Sequence, residues 1–272
     1  MLVANYKVLA RGCQARPYRR SMVSMIRRYT VADLIFENRR LAEIYNPLDG
    51  DRRDLDAYMA MAAESSARSV LDIGCGTGTF ACLLAETGRE VIAVDPAAAS
   101  LEVARRKPFA ERVRWIEGDA QSLPTMQGDL ATMTANVAQV FLTDEAWTAT
   151  LVGVRGALRP NGGRLAFEVR DPAAQAWHYW NRDQTYRRLD LPSVGGVETW
   201  EEVTDVSPPL VSFRHVFHFD SDGATLMSES TLRFRPREEI ESSLDAAGLV
   251  VEDVRGAPDR PGLEFVFIAR RP

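Results

Sequence analysis

Cysteine is scarce in this chain: Cys13, Cys75 and Cys82 are an odd set without metal-ligand spacing. That excludes a disulfide framework and points to a reducing, cytoplasmic compartment. Cys75 and Cys82 read as small packed residues rather than nucleophiles. Histidine is equally rare, with His178, His215 and His218 all in the C-terminal half. A His/Cys zinc site therefore lacks ligands, and no metal is expected. No run of about 18 apolar residues occurs, so no membrane span is indicated. Internal repeats and low-complexity tracts are also missing.

Acidic residues are absent from positions 1–28, which carry Lys7, Arg11, Arg16, Arg19, Arg20, Arg27 and Arg28. The remaining residues then hold 26 basic against 38 acidic side chains. So acidic a body repels a phosphate backbone, which makes nucleic acid a poor default substrate. The basic stretch lacks a signal-peptide apolar region, because Asn5 and Lys7 interrupt Leu2 to Ala10. It reads as a poorly ordered extension, with Met22 or Met25 as alternative starts.

What is present suffices for one large core: 272 residues, 46% apolar and 26% charged. A soluble, globular chain with one domain and an insertion is expected. Tyr29 to Arg68 has helical spacing at Val31, Leu34, Ile35, Leu41 and Ile44, interrupted at Asn46-Pro47-Leu48-Asp49-Gly50. A second helix follows from about Asp54 to Ser65.

Short apolar runs then alternate with helical stretches: Ser69–Ile73, Thr79–Glu86, Val91–Asp95, Ala98–Arg106, Arg112–Glu117, Asp129–Thr134, Glu145–Leu158 and Gly163–Val169. This alternation implies βαβ units with right-handed crossovers. The expected fold is α/β: a doubly wound, mostly parallel Rossmann-like sheet with N-terminal helices and an inserted antiparallel β-meander. The meander comprises Val197–Val206, Leu210–Phe219 and Thr225–Phe234. The doubly wound pattern resumes with Pro236 in a first helical turn, Gly248 as a C-cap, and strands near Val250–Val254 and Glu264–Ala269.

Val70-Leu71-Asp72-Ile73 runs into Gly74-Cys75-Gly76-Thr77-Gly78 and then a helix, an arrangement that lets a ligand approach the backbone at a helix N-terminus. Thr79 stands where a dinucleotide loop needs Gly or Ala, and no Gly-Lys-Ser/Thr follows, so the ligand need not carry a pyrophosphate. Asp95 ends the second apolar strand, where a carboxylate can accept hydrogen bonds from the vicinal hydroxyls of a ribose. Asp72 suits an amino-acid ammonium better than a phosphate.

The segment resembles motif I of the class I S-adenosylmethionine-dependent methyltransferases (D-x-G-x-G-x-G), with Asp95 matching their acidic residue after the second strand. Glu117-Gly118-Asp119-Ala120 is similar to their adenine-side acidic motif. Leu158-Arg159-Pro160-Asn161-Gly162-Gly163 is similar to the turn before their fifth strand. The likeness spans about residues 69–170. It implies S-adenosylmethionine as cofactor, with Gly74, Gly76 and Gly78 admitting its backbone and Asp72 orienting its amino-acid end. Cys75, Thr77 and Pro96 belong to the same binding set. Asp95 would hold the ribose, Asp119 the adenine N6 amino group and Ala120 a backbone contact. Asn136 and Val137 would line the methionine end. Thr134-Ala135-Asn136-Val137 departs from the Asn/Asp-Pro-Pro-Tyr/Phe signature for base amines and protein glutamine, which weakens those readings.

The chain divides into a basic extension (1–28), a helical cap (29–68), a cofactor-binding core (69–171), an acceptor-side insertion (172–235) and a C-terminal part completing the core (236–272). Methyl transfer from a sulfonium is an in-line displacement that needs positioning first, and a base when the acceptor is a hydroxyl or protonated amine. Strand alternation puts Val211, Phe213, His215, Phe217 and Phe219 on one face, which makes His215 the catalytic candidate; a hydrogen-bonded core histidine is the alternative. Arg170 could clamp an acceptor carboxylate or phosphate, or else pair with Glu168 or Asp171. Trp177, His178 and Trp180 could wall an acceptor pocket or join the insertion to the sheet, and Tyr45 could close the site. The expected function is methyl transfer to a small-molecule acceptor at O, N or C. The alternative is a cofactor-binding or RNA-associated module using the basic arm.

Overall fold

A computed structural model describes residues 32–50, 52–125 and 128–272. The basic extension and the expected helical start at Tyr29 and Val31 lie outside the described residues. The described chain opens with α1 (Leu34–Glu37), α2 (Arg39–Asp49) and α3 (Asp54–Glu64). The helix break expected at Asn46 to Gly50 comes only at the end of that stretch, where α2 stops at Asp49, and a further break lies at Asn38, whose side chain accepts from the Arg40 and Leu41 amides and starts α2. Pro47 lies inside α2, near an end at which Gly50 takes a φ of 66°. A proline there removes one amide donor close to where the helix stops anyway.

The alternating region forms β1 (Ser69–Ile73), α4 (Thr79–Glu86), β2 (Glu90–Asp95), α5 (Ala98–Ala104), β3 (Val113–Glu117), β4 (Leu130–Met133), α6 (Asp144–Ala157) and β5 (Arg164–Arg170). The five strands pair in parallel in the order β5-β4-β1-β2-β3. The order reverses between β1 and β4, so a crevice opens at the carboxyl ends of these neighbours, where α/β sheets receive ligands.

Beyond β5 come α7 (Arg182–Thr185), β6 (Arg187–Leu191), β7 (Gly195–Ser207), β8 (Leu210–Phe219), β9 (Thr225–Arg233), α8 (Arg237–Ala246), β10 (Val250–Gly256) and β11 (Glu264–Arg270). The insertion has four strands, β6-β7-β8-β9, rather than three. The unexpected β6 is a largely exposed edge strand, so Arg-Arg-Leu-Asp-Leu carries little apolar signal. The C-terminal strands complete the main sheet, but β11 runs antiparallel to both β5 and β10. Seven residues between β10 and β11 are too few for the crossover a parallel pair needs. Pro236 is the N-cap of α8 rather than a residue of its first turn, and Gly248 follows the C-cap Ala247.

Helices α3 and α4 cover one face of the main sheet and α6 and α8 the other. Trp147 of α6 packs edge-on to Phe167, which stacks on Phe267; its indole N–H donates to Ser243 Oγ at 2.8 Å. The inner face of the four-stranded sheet meets Leu41 and Ile44 of α2 through Val197, Phe217 and Phe219. Further along, Val211 and Phe213 meet Trp177 and Phe234. His215, Thr199 and Glu201 stand between these apolar contacts, on neighbouring positions of β8 and β7. Two apolar clusters thus anchor a sheet whose middle is polar.

Candidate functional site

The glycine loop is tied down from below. The Gly74 and Cys75 amides both donate to Val94 O, at 2.8 and 3.2 Å. The Gly76 amide donates to Asp95 Oδ2 at 2.8 Å, and the Ala97 amide to Oδ1 at 2.8 Å. Asp95 therefore shapes the loop as well as facing it, while each oxygen keeps a lone pair for a hydroxyl donor. Burial raises its pKa to about 6. Gly76 has a φ of 52°, and a Cβ built there would meet no atom within 4 Å, so this part of the loop floor is open.

Asp72 is buried in β1. Its Oδ1 accepts from Thr132 Oγ1 at 3.3 Å, whereas Oδ2 has no hydrogen-bond partner. Burial pushes its pKa up to about 7, with the Asp95 charge adding to the rise. An ionised carboxylate with an unpaired buried oxygen is costly. A cationic group is the chemistry that would relieve that cost, and the pair of this acid with an open Gly76 fits the amino-acid end of S-adenosylmethionine.

Other expected cofactor residues take definite places. Asp119 accepts from the Gln121 amide at 2.9 Å and caps a short 3-10 turn that starts at the buried Ala120. Pro96 is half-buried beside Asp95. Gly78, in the left-handed region, precedes α4. Burial, with Asp95 and Asp72 nearby, pushes the half-buried Cys75 thiol up and disfavours a thiolate. Val137 packs so closely on the loop that a Cβ on Gly74 would lie 2.6 Å from its Cγ2.

Asn136, expected together with Val137 at the methionine end, sits in the turn after β4. It is buried, its amide donates to Glu168 Oε1 at 3.3 Å, and its Nδ2 donates to Glu264 Oε1 at 3.1 Å. The backbone amide is thus held by a carboxylate of β5 and the side chain by one of β11, both strong acceptors for N–H groups.

Asn46 was missed as a site residue because Asn-Pro reads as a helix break. Its Oδ1 accepts from Thr77 Oγ1 at 2.7 Å, Thr79 Oγ1 at 3.3 Å and Lys107 Nζ at 3.1 Å, joining α2 to the glycine loop. Burial lowers the Lys107 pKa to about 8. Tyr45, the preceding residue, is half-buried against Phe36, with ring centroids 5.4 Å apart. Burial raises its pKa, with the Asp49 charge adding to the rise, and it is the next residue, Asn46, that reaches the cofactor loop.

On the acceptor side, Arg170 pairs with neither Glu168 nor Asp171. Its NH1 donates to Gln139 Oε1 at 3.1 Å, and its Nε lies 3.8 Å from Glu264 Oε1. Glu264 faces it across the sheet end, because β11 aligns Glu264 with Arg170. The guanidinium also lies 5.3 Å from the Trp180 ring. Trp177 is buried edge-on to Phe234, and Trp180 leans on Phe213, so both pack within the insertion, with Val140 of the core beside their cluster. With His178 they also line an open cleft of about 460 Å³, to which the glycine loop does not contribute. His178 is exposed and bonded to Gln175 at 3.2 Å.

His215 is stacked on Phe217 at 4.3 Å, with Nε2 2.9 Å from Thr199 Oγ1 and Nδ1 3.8 Å from Glu201 Oε1. Burial, helped by the Arg187 charge, lowers its pKa to about 4. The imidazole is neutral near pH 7 and able to accept a proton, though only weakly. His218 lies on the other face and pairs with Thr225.

Among the described residues, no group of three or more His, Cys, Asp and Glu could hold a metal ion, and no helix is long and apolar enough to cross a membrane.

Residues 70–162 match a family model described as a methyltransferase domain. A cypemycin N-terminal methyltransferase from a Streptomyces species is 35% identical over 120 residues, 44% of this chain and 49% of that protein. The chain therefore spans about half the length of that curated relative. Among solved structures, the CcbJ methyltransferase of Streptomyces caelestis superimposes with a TM-score of 0.69 at 21% identity, covering 85% of this chain and 96% of that one. The sugar N-methyltransferase KedS8 of a Streptoalloteichus species gives 0.67 at 18% identity, covering 100% and 98%. At such identities these two likenesses speak for the fold.

Proposed function

We propose that this chain, of which residues 70–162 match a methyltransferase-domain model, is a class I S-adenosylmethionine-dependent methyltransferase that transfers a methyl group to a small-molecule acceptor. The observation that carries the reading is the buried, unpartnered Asp72 oxygen of β1 together with the open Gly76 in the loop that follows that strand, a pair suited to an ammonium and to a ligand close to the backbone. When bound, S-adenosylmethionine supplies a methyl carbon activated by its sulfonium. Asp72 takes its ammonium, and Gly74, Cys75, Gly76, Thr77 and Gly78 admit its backbone. Asp95, flanked by Pro96, accepts from the ribose hydroxyls. Asp119 accepts from the adenine N6 amino group, and Ala120 offers a backbone contact. Val137 and the Asn136 turn wall the methionine end.

The acceptor side follows from the polar middle of the four-stranded sheet. Tyr45 closes the site from α2, Arg170 and Trp180 hold an anionic or planar part of the acceptor, and Trp177 and His178 border the adjoining cleft. His215 would take the proton that an O–H or N–H acceptor loses as its lone pair forms the bond to the methyl carbon and the carbon–sulfur bond breaks, with S-adenosylhomocysteine as the leaving group. The overall acidity of the chain supports a metabolite over a nucleic acid,, and its sparse cysteines support a cytoplasmic location.

The test uses S-adenosylmethionine carrying a labelled methyl group, with the full chain and a cell extract fractionated afterwards. Label in the small-molecule fraction is the expected result. Label confined to RNA would favour the RNA-associated alternative, and no transfer to any fraction would count against the enzyme reading.

A further inference from the structure

The turn after β4 is strained. Ala135 and Asn136 both lie in the left-handed region, with φ of 55° and 61°. Asparagine tolerates that region, whereas alanine in it is strained. Such strain persists where the surroundings over-determine it, and here they do so through two carboxylates. Glu168 of β5 accepts from the Asn136 amide, and Glu264 of β11 accepts from its side chain. Each acid is itself fixed: Tyr58 O–H of α3 donates to Glu168 Oε2 at 3.2 Å, and Arg260 NH1 donates to Glu264 Oε1 at 2.8 Å. The next residue along the turn is Val137, the side chain that walls Gly74.

We propose that Glu168 and Glu264 are positioning residues for the cofactor: by gripping Asn136 from two strands, they hold the turn that sets Val137 against the glycine loop. The idea rests on the S-adenosylmethionine reading of that loop and deepens it. Two buried acids side by side are otherwise hard to justify in a sheet end. Burial and the Glu264 charge raise Glu168 to about 7, so this pair is maintained at an energetic cost. The Glu168 carboxyl can accept the Asn136 amide whether or not it is ionised, so the turn stays held across that titration.

Glu168→Leu removes the amide's acceptor, Glu168→Gln keeps an acceptor oxygen, and Asn136→Gly keeps the left-handed backbone while losing the Glu264 contact. S-adenosylhomocysteine affinity is measured by calorimetry for each full-length variant, alongside its melting temperature. The expected pattern is an affinity loss of about tenfold for E168L, the scale of one buried donor left unsatisfied, with E168Q within about threefold of the unmodified chain. The double variant E168L/N136G should lose less than the product of the two single losses, because both act on one turn. Unchanged affinity in a folded E168L overturns the proposal. If E168L does not fold, N136G decides: binding as tight as the unmodified chain's overturns it, and a loss supports it. An unmodified chain that binds no S-adenosylhomocysteine overturns the cofactor reading itself, a different and distinguishable failure.

Discussion

Asp95 and Gly76 are joined by a 2.8 Å hydrogen bond, the Gly76 amide donating to the Asp95 carboxylate from the next strand. The residue placed to receive a ribose therefore also holds open the loop beside it. Loop shape and ligand recognition are coupled in one side chain.

Asp95→Ala is expected to weaken S-adenosylmethionine binding about 10- to 150-fold, the scale of 1.5–3 kcal/mol for hydrogen bonds to a charged acceptor. Its melting temperature should also fall, because the Gly76 and Ala97 amides lose their partner. Calorimetry showing full affinity in D95A would remove Asp95 from the site.

Two loop glycines should respond in opposite ways. At Gly76 a new side chain meets no protein atom, so Gly76→Val should fold with only the left-handed penalty of about 1–2 kcal/mol, yet block the cofactor. At Gly74 a Cβ would fall 2.6 Å from Val137, so Gly74→Val should be the less stable protein. Thermal melts with and without S-adenosylhomocysteine separate the two, and a G76V variant that is still stabilised by ligand would contradict the open-floor argument.

Cofactor affinity should rise with pH. Asp72 and Glu168 both have raised pKa values of about 7, so the folded chain retains protons that the unfolded chain loses from about pH 4 upwards. Their contribution to the stability of the ligand-free protein is greatest below about pH 4 and declines as pH rises through 7. A bound ammonium favours the ionised Asp72, so affinity should increase between about pH 5.5 and 7.5, before the ligand's own amine begins to lose its proton near 8. Asp72→Asn should flatten that rise. An equally steep profile in D72N would assign the titration elsewhere.

His215→Asn should lower turnover on an O–H or N–H acceptor by about 10²-fold, near the lower end for general bases, because a pKa of about 4 makes a weak base,. S-adenosylmethionine affinity should hardly change. A lower melting temperature with normal turnover would make His215 a structural partner of Thr199 and Phe217 instead.

Much of this architecture was legible along the chain where pattern and environment agree. Strands buried on both faces, such as Val70-Leu71-Asp72-Ile73, read as continuous apolar runs, and Gly74 to Gly78 with Asp95 marked the loop. What escaped depends on contacts far apart in sequence. Edge strand β6 buries too little to carry a pattern. The antiparallel β11 is dictated by a short connection rather than by composition, since its residues suit either direction. The roles of Asn46 and Glu168 depend on partners as distant as Lys107, Tyr58 and Asn136, and no local spacing announces them. Arg170 was recognised at the strand end, but its partner Glu264 comes from a strand whose register could not be read in advance.

The most direct test of the central claim is a calorimetric titration of the full chain with S-adenosylmethionine at about pH 7.5, repeated on Gly76→Val. One saturable site per chain, lost in that variant, is the predicted result. No binding at millimolar ligand, or binding that survives Gly76→Val undiminished, would contradict a cofactor site built on the glycine loop.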